Sequence, residues 1–332
     1  MNKKVELPII DPVFSTYHYQ CMATAIISSN PSIRNWALNE SVTFWCEKSF
    51  LWGVTTPYLT VQFSSYEDNP HLEKHFFDLT DESIKFNQLV RKYLDNGYYF
   101  YFNKIDDFYL DGKTWYKERH FFHDGILCGY DQEKKLYCIY AYDNRWKYTK
   151  LWIPQKSFNA GLRSMKKNGE KGYLYALKPL SEHVEFNPSV VVNNLKSHIS
   201  NSTFETCPPT DPIGAWGTVV HDYIALYLDK LLDNSIPYER MDWRIFRVIW
   251  EHKKIMLERI ERLEEALLLD SNASTLYKNI VEKANKIRLL YASCHMKRQD
   301  NRLISIKETL VEIKDKEKEI LENLIKEAER KI

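Results

Sequence analysis

The sequence predicts an α+β domain followed by an all-α helical region, and three observations support this fold class. Short aromatic or β-branched runs bounded by Gly, Asp and Asn are concentrated before residue 180, which is typical of strands. Residues 238–332 contain neither glycine nor proline, although the chain has 10 glycines and 12 prolines. In that tail, apolar residues recur every three or four positions, the spacing of one helix face.

The first 180 residues contain both kinds of element. Apolar residues 21–29 and residues 82–94 predict helices. The runs at 98–103, 125–129, 136–142 and 173–177 predict strands. A Gly-Tyr-Asp turn separates the second and third of these strands, so we expect them to form an antiparallel hairpin.

The tail predicts a shorter helix at 219–232 and three long helices whose apolar stripes span 243–267, 276–290 and 303–324. Residues 270–272 supply a break and candidate N-caps between the first two long helices. A coiled coil is an alternative for the last stripe, but Glu317 interrupts it, so a helical bundle is favoured. We therefore predict a catalytic domain at 1–180, a Ser/Asn/Pro-bearing connecting segment at 181–215 and a helical domain at 216–332.

The composition excludes several classes of protein. There are 46 Lys+Arg against 45 Asp+Glu, a net charge of +1, which gives no electrostatic reason to expect nucleic acid or an anionic membrane as a partner. No secretory signal and no membrane span are visible, and the six cysteines include no CxxC pair, so a cytoplasmic protein with free thiols is expected. No His/Cys/Asp group has the spacing of metal ligands, so neither a metal nor an organic cofactor is expected.

Cys21 is the candidate nucleophile because it lies where an irregular aromatic segment meets an apolar helix. A thiol at a helix N-terminus faces unpaired N–H groups and the positive end of the helix dipole, which favour thiolate and can hold an oxyanion. The other cysteines are expected to be small buried hydrophobic residues; they are Cys46, Cys128, Cys138, Cys207 and Cys294.

His123 and Asp143 complete the candidate site. His123 begins the second strand and Asp143 follows the third, so a hairpin brings both to the same end. An acid there can orient the imidazole and stabilise its charged form while the other ring nitrogen serves the cysteine. His120 remains an alternative to His123, and Asn144 to Asp143.

Other polar residues are interpreted as structural. His18 is expected to make a local hydrogen bond, and His221 and Asp222 to be solvated helix surface. The acidic cluster Asp106, Asp107 and Asp111 is interpreted as a polar turn, with attraction of a cationic amine as the alternative.

Together these features resemble a known superfamily. A cysteine that opens a helix, the pattern H-x5-G-Y-D from His123, and a strand ending at Asp143 are similar to papain-like cysteine enzymes of the bacteriocin-processing peptidase type. The helical C-terminal half is more similar to the branch of butirosin biosynthesis protein H type acyltransferases. The amide-forming enzyme of closthioamide biosynthesis belongs to the same papain-like group and is a more specific parallel. The motifs cover roughly residues 11–180.

The resemblance implies a papain-like core, with Cys21 as nucleophile, His123 as acid/base and Asp143 as orienting residue. It implies a thioester-dependent acyltransferase that forms an amide bond in natural-product biosynthesis. The donor would be carried on the phosphopantetheine arm of an acyl or peptidyl carrier protein, and the acceptor would be a small-molecule amine. A cysteine peptidase or hydrolase using the same residues, and a non-catalytic helical scaffold, are the alternatives.

Two positions depart from the family pattern. Met22 follows the cysteine where many peptidase relatives have glycine, and Ser15 stands where an oxyanion-hole glutamine is often found. Gln20 is the nearest glutamine and is the candidate for that role. These departures weaken the case for proteolysis more than the case for acyl transfer, because a thioester is attacked more easily than an amide.

Overall fold

The structure, a computed structural model, describes residues 3–30, 33–63, 67, 69–180, 183–200 and 214–332. Two compact units divide the chain. Unit 1 comprises Met1–Arg34 and Ser64–Val184, and unit 2 comprises Asn35–Phe63 and Glu185–Ile332. The sequence-based boundaries at 180 and 215 did not place residues 35–63 in the second unit. These residues belong to it because their strand at 43–47 pairs with residues 214–216 and with the strand at 59–62.

The elements are numbered along the chain. The strands are β1 (Lys4–Glu6), β2 (Thr43–Glu47), β3 (Leu59–Gln62), β4 (Leu72–Asp78), β5 (Tyr99–Asp106), β6 (Phe122–Asp131), β7 (Leu136–Tyr142), β8 (Tyr148–Pro154), β9 (Tyr173–Pro179) and β10 (Gly214–Trp216). The helices are α1 (His18–Ile27), α2 (Arg34–Asn39), α3 (Phe86–Asp95), α4 (Gln155–Lys167), α5 (Pro188–Ser200), α6 (Val220–Leu232), α7 (Arg244–Leu267), α8 (Ala273–Met296) and α9 (Asp300–Ala328).

Unit 1 is built on an antiparallel sheet in the order β4-β9-β5-β6-β7-β8, with β1 also paired to β6. Alternation along β7 sends Tyr137, Ile139 and Ala141 into an apolar core shared with α3 and α4. Tyr140 and Tyr142 therefore face the opposite side of the sheet. Helix α1 contacts β6 and β9, and its residues 20–27 are all buried.

The predicted α+β class, with antiparallel sheets and a helical C-terminal region, is confirmed. The predicted hairpin is β6–β7, and residues 136–142 are the bounds of β7 itself. The first predicted helix begins at His18, three residues before Cys21. Strands β1, β2, β3, β4, β8 and β10 were not predicted, nor were helices α2, α4 and α5.

Unit 2 contains the sheet β10-β2-β3 and helices of the C-terminal region. Helix α7 packs on α8, α8 on α9, and α9 also packs on α5 and α6. The apolar stripe of α9 is buried against these partners, as expected of a bundle, and Glu317 within that stripe is also fully buried. The interruption in the stripe is therefore an interior charge rather than an exposed one.

The predicted connecting segment contains helix α5, whose buried residues include Val191, Val192 and Leu195. Its residues 181–182 and 201–213, including Cys207, lie outside the described part of the chain. No helix within the described ranges is both long and apolar enough to cross a membrane.

Candidate active site

Cys21 lies inside the first turn of α1 rather than at its opening residue. The helix begins at His18, and the Cys21 N–H donates a 2.9 Å hydrogen bond to the carbonyl of Tyr17. That N–H is therefore engaged by the helix and is not available to an oxyanion, contrary to the sequence-based expectation. The Cys21 residue has no exposed surface.

Gln20 is buried in α1 directly beside Cys21. Consecutive helix residues project about 100° apart, so adjacent side chains do not face each other. The backbone carbonyl of Gln20 accepts a 2.9 Å hydrogen bond from the Thr24 hydroxyl. This local geometry gives no support to Gln20 as an oxyanion donor at Cys21.

His123 and Asp143 lie at the same end of the β6–β7 hairpin. The ladder pairs Ile126 with Tyr140, and three further residues on each strand would set His123 opposite Asp143. The Asp143 carboxylate instead closes a turn, where its Oδ1 accepts hydrogen bonds from the backbone N–H groups of Arg145 (2.8 Å) and Lys147 (2.9 Å). Among the described residues, His123 makes no hydrogen bond to Asp143.

Asp124 is the carboxylate that the structure brings to the histidines. His18 Nδ1 makes a hydrogen bond to Asp124 Oδ1, and His123 Nδ1 lies 3.3 Å from the same oxygen. The two imidazole rings are 4.3 Å apart, edge to face. The Tyr101 hydroxyl donates to the second carboxylate oxygen at 3.3 Å. Here this group is called the His18–Asp124–His123 cluster.

His18 was expected to make only a local hydrogen bond, yet its partner is 106 residues away in sequence. His18 and Cys21 are three residues apart on one helix, where such residues are neighbours with Cβ atoms about 5–6 Å apart. The fold therefore brings His18 and Cys21 on α1 close to Asp124 and His123 on β6.

The surroundings of the cluster shift the pKa values of both His123 and Asp124 downwards. The pKa of His123 is lowered to about 4, chiefly by burial and then by electrostatic repulsion from His18, while Asp124 opposes the decrease. Burial alone would raise the pKa of Asp124, but the hydrogen bond from His18 and the charges of both histidines lower it overall. At neutral pH, Asp124 is therefore ionised and His123 is uncharged.

Two tyrosines complete the surroundings of the thiol. Tyr140 and Tyr148 stack with their ring centroids 5.4 Å apart. Burial raises the pKa of each phenol, and the neighbouring Cys21 raises it further. Within the described part of the chain, the buried Tyr140 hydroxyl has no hydrogen-bond partner. Both hydroxyls lie near Cys21, and a hydrogen bond with Cys21 contributes to the raised pKa of Tyr148.

The alternative residues take structural roles. His120 Nδ1 lies 2.6 Å from Asp106, which is fully buried and also accepts a 2.6 Å hydrogen bond from Ser164. Asp106 thereby fixes the segment that leads into β6. Asn144 is exposed, and its backbone N–H donates to Gly112 at 2.8 Å.

The sequence suggested that the acidic cluster is a polar turn, but two of its three carboxylates are buried in the structure. Asp106 and Asp107 are buried, and only Asp111 is exposed. Lys113 is buried with Asp107 at 3.5 Å. Burial raises the pKa of Asp107 to about 6, although Lys113 opposes the rise. These carboxylates are held inside the fold and do not form a surface that attracts a cationic amine.

The cluster also has donors suited to a metal ion, which the sequence spacing did not reveal. His18, His123 and Asp124 each offer a ligand atom, and these atoms lie within 4.8 Å of one another. Two imidazoles and one carboxylate form a common ligand set for zinc. The sequence signal for Asp124 was its place directly after His123, but adjacent strand residues normally point to opposite faces.

Comparison with known proteins gives no matching protein-family model and no significant similarity to a curated protein sequence.

Proposed function

We propose that unit 1 is a papain-like cysteine enzyme that transfers an acyl group from a thioester to an amine, forming an amide through an acyl-Cys21 intermediate. The observation that carries the proposal is that Cys21 lies one helical turn from His18, which is hydrogen-bonded to the ionised, largely buried carboxylate of Asp124. A nucleophile, a base and a residue that orients the base are the parts that covalent acyl transfer requires.

The roles are assigned from the contacts. Asp124 holds Nδ1 of His18, so Nε2 of His18 remains to accept the Cys21 proton. The thiolate then attacks the thioester carbonyl, and the oxyanion accepts hydrogen bonds from the hydroxyls of Tyr140 and Tyr148. His123 Nδ1 lies 3.3 Å from the same carboxylate oxygen, Asp124 Oδ1. It is the second candidate base, because its uncharged form at neutral pH can accept a proton.

The reaction proceeds in two halves. Collapse of the first tetrahedral intermediate expels the donor thiolate, which takes its proton from the imidazolium, and leaves the acyl group on Cys21. The amine then attacks this thioester, and the imidazole accepts the proton that the nitrogen loses. The second collapse releases the amide and returns the proton to the Cys21 sulfur.

The partners in this proposal follow from the resemblance given above. The donor is an acyl group on the phosphopantetheine arm of an acyl or peptidyl carrier protein, and the acceptor is a small-molecule amine in cytoplasmic natural-product biosynthesis. Because Cys21 has no exposed surface, the donor reaches the sulfur only after neighbouring side chains move. His18, Asp124 and His123 are partly exposed and mark the side from which the donor approaches.

Intact-mass analysis with acyl thioesters, free and carrier-bound, tests the proposal. Wild type should gain one acyl group and lose it as amide when an amine is added. Cys21→Ala should gain none. Cys128→Ala is the matched control, because Cys128 is also a fully buried thiol in unit 1. Discharge to water alone would identify a hydrolase, and full amide formation by Cys21→Ala would overturn the cysteine mechanism.

A non-catalytic role is the second candidate, and the complete burial of Cys21 favours it. In that case the cluster stabilises the attachment of α1 to the sheet and performs no chemistry. Alkylation of the native protein with iodoacetamide separates the two candidates. Labelling of Cys21 in the native state favours the enzyme, whereas labelling only after unfolding favours the non-catalytic role.

A further inference from the structure

Unit 2 contains a second cluster of titratable residues, which the proposed acyl transfer does not use. We call it the buried histidine cluster and define it as His198, His221, His252 and Glu317. They come from four helices, α5, α6, α7 and α9, and each is fully or almost fully buried. His221 was expected on solvated helix surface, so the bundle places it differently from the sequence-based expectation.

Each imidazole in the cluster has one ring nitrogen held by the surrounding backbone or by a hydroxyl. The contacts are His198 Nδ1 to Thr43 Oγ1 (3.0 Å), His221 Nδ1 to the Thr218 carbonyl (2.9 Å) and His252 Nε2 to the Val42 carbonyl (3.3 Å). Outer hydrogen bonds of this kind fix the orientation and tautomer of histidines that bind metals.

The opposite nitrogen of each ring is buried and, within the described residues, has no hydrogen-bond partner: His198 Nε2, His221 Nε2 and His252 Nδ1. A buried polar atom left unsatisfied costs about 1–3 kcal/mol. Three such atoms around one carboxylate therefore point to a missing common partner. His198 Nε2 lies 3.8 Å from Glu317 Oε1, and His221 Nε2 lies 4.0 Å from Oε2.

We propose that the buried histidine cluster is a binding site for a divalent transition metal of the zinc class. His198, His252 and Glu317 offer ligand atoms within 4.8 Å of one another. His221 lies outside that group, but its Nε2 is 4.0 Å from Glu317 Oε2, and it moves inward to supply the fourth ligand. Tetrahedral zinc with bonds of about 2.0–2.2 Å holds its ligand atoms about 3.3–3.6 Å apart. The two measured His–Glu separations would shorten by roughly half an ångström on binding.

Lys253 makes this site unusual. Its Nζ lies 2.6 Å from Glu317 Oε2 and 4.7 Å from the centre of the Phe44 ring, and it is completely buried. The ammonium and a metal ion are both cations that bind the same carboxylate, so they compete for it. The lysine thus neutralises Glu317 when no metal is bound, and metal entry displaces the ammonium from this carboxylate.

The proposal is tested on the full chain, purified without a polyhistidine tag and treated with a chelator to remove bound metal. Titration with Zn²⁺, with Co²⁺ absorption as a second readout, should reveal one ion per chain in a tetrahedral nitrogen/oxygen site that remains occupied in His123→Ala. His252→Ala should abolish binding. Thr43→Val keeps the side-chain volume but removes the hydroxyl that orients His198, and should weaken binding about 10- to 100-fold.

Two further variants separate this site from other histidines. His295→Ala, on the exposed surface of α8, and His123→Ala, in unit 1, should leave this binding unchanged. Lys253→Met should bind Zn²⁺ more tightly than wild type, and Zn²⁺ should raise its melting temperature more than that of wild type. If Lys253 only stabilised the fold, Lys253→Met would show neither tighter Zn²⁺ binding nor a larger increase in melting temperature with Zn²⁺.

Failure of the wild type to bind Zn²⁺ or Co²⁺ would overturn the proposal, as would binding that survives both His252→Ala and Thr43→Val. Loss of the ion in His123→Ala would assign it to unit 1 and would also overturn the proposal. None of these outcomes depends on acyl transfer, because none of them uses Cys21 or a thioester.

Discussion

Asp124 is the residue whose position most changes the chemistry expected of this chain. Its carboxylate contacts His18, His123 and the Tyr101 hydroxyl, and it lies on the same strand as His123. Asp143 closes an exposed turn through its carboxylate. Substituting each aspartate in turn therefore distinguishes two effects: Asp124 orients an imidazole, whereas Asp143 stabilises a local turn.

Replacing Asp124 by Asn should reduce the rate of acyl transfer roughly 10²- to 10⁴-fold, because the His18 imidazole loses the charge that orients and stabilises it. Replacing Asp143 by Ala should leave that rate unchanged and lower the free energy of unfolding by about 1 kcal/mol, since two turn hydrogen bonds are lost. Single-turnover rates and denaturant unfolding measure both effects. A loss of acyl-transfer rate in Asp143→Ala but not in Asp124→Asn would instead assign the orienting role to Asp143.

His123 should make the stability of the protein pH-dependent. Its pKa is about 4 in the folded state against an ordinary value of 6.5. Between these values the unfolded chain binds a proton that the folded chain does not, so the free energy of unfolding falls as the pH decreases from about 6.5 towards 4. In His123→Gln the decrease should be smaller. Equal pH dependence in both proteins would show that His123 titrates normally.

The sequence was sufficient to predict some of the candidate site but not its contacts. His123 and Cys21 were found because strand and helix boundaries mark them. His18 and Asp124 were missed because their pairing depends on how α1 meets the sheet, which no local pattern encodes. The engagement of the Cys21 N–H follows from a helix start three residues earlier than the apolar run predicted.

At the scale of single elements, glycines decide how closely strands approach. Gly129 in β6 pairs with Glu6 of β1, and a Cβ at Gly129 would lie 2.5 Å from the carbonyl oxygen of Val5. A backbone atom cannot move aside as the end of a side chain can. The approach of β1 to the sheet therefore depends on this glycine.

Gly129→Ala should destabilise the protein by about 1–3 kcal/mol, as overpacking does elsewhere. It should also increase hydrogen exchange in β1. Gly53→Ala is the control, because its added Cβ would come no closer than 3.3 Å, to the carbonyl of Ser49. If β1 stayed fully protected in Gly129→Ala, the close approach would not be required.

Element prediction succeeded where the chain carried strong periodicity and clear turns. The strand β7 and the helices α7, α8 and α9 are such cases. Strand β1 has only three residues, and β4 is partly exposed, so neither presents a long apolar run. Their pairing with distant strands stabilises them, and that contribution is not visible in a local window.

For the whole molecule, the interior charge of unit 2 matters most. Glu317 and Lys253 form a completely buried ion pair. On the same helix, Glu322 pairs with Lys318 at 3.9 Å on the surface. Helix α9 thus contributes the glutamate to two Glu–Lys pairs that differ in burial.

Glu317→Gln should cost about 3–5 kcal/mol, because it leaves the Lys253 charge buried without its partner. Glu322→Gln should cost less than about 1 kcal/mol. Hydrogen exchange should show the loss in α5 to α9 of unit 2, with strands β5 to β8 of unit 1 remaining protected. Equal loss throughout the chain would mean that the two units unfold as one.

The interleaved order of the two units has a consequence for synthesis on the ribosome. Strands β2 and β3 emerge early, but β10, which pairs with β2, follows only at Gly214–Trp216. Until then the nascent chain carries a hairpin with an unpaired edge and apolar side chains such as Phe44 and Val61, a species prone to association. A fragment ending near residue 180 would retain that hairpin permanently. Expression of unit 1 alone should therefore succeed only when a short linker replaces residues 35–63.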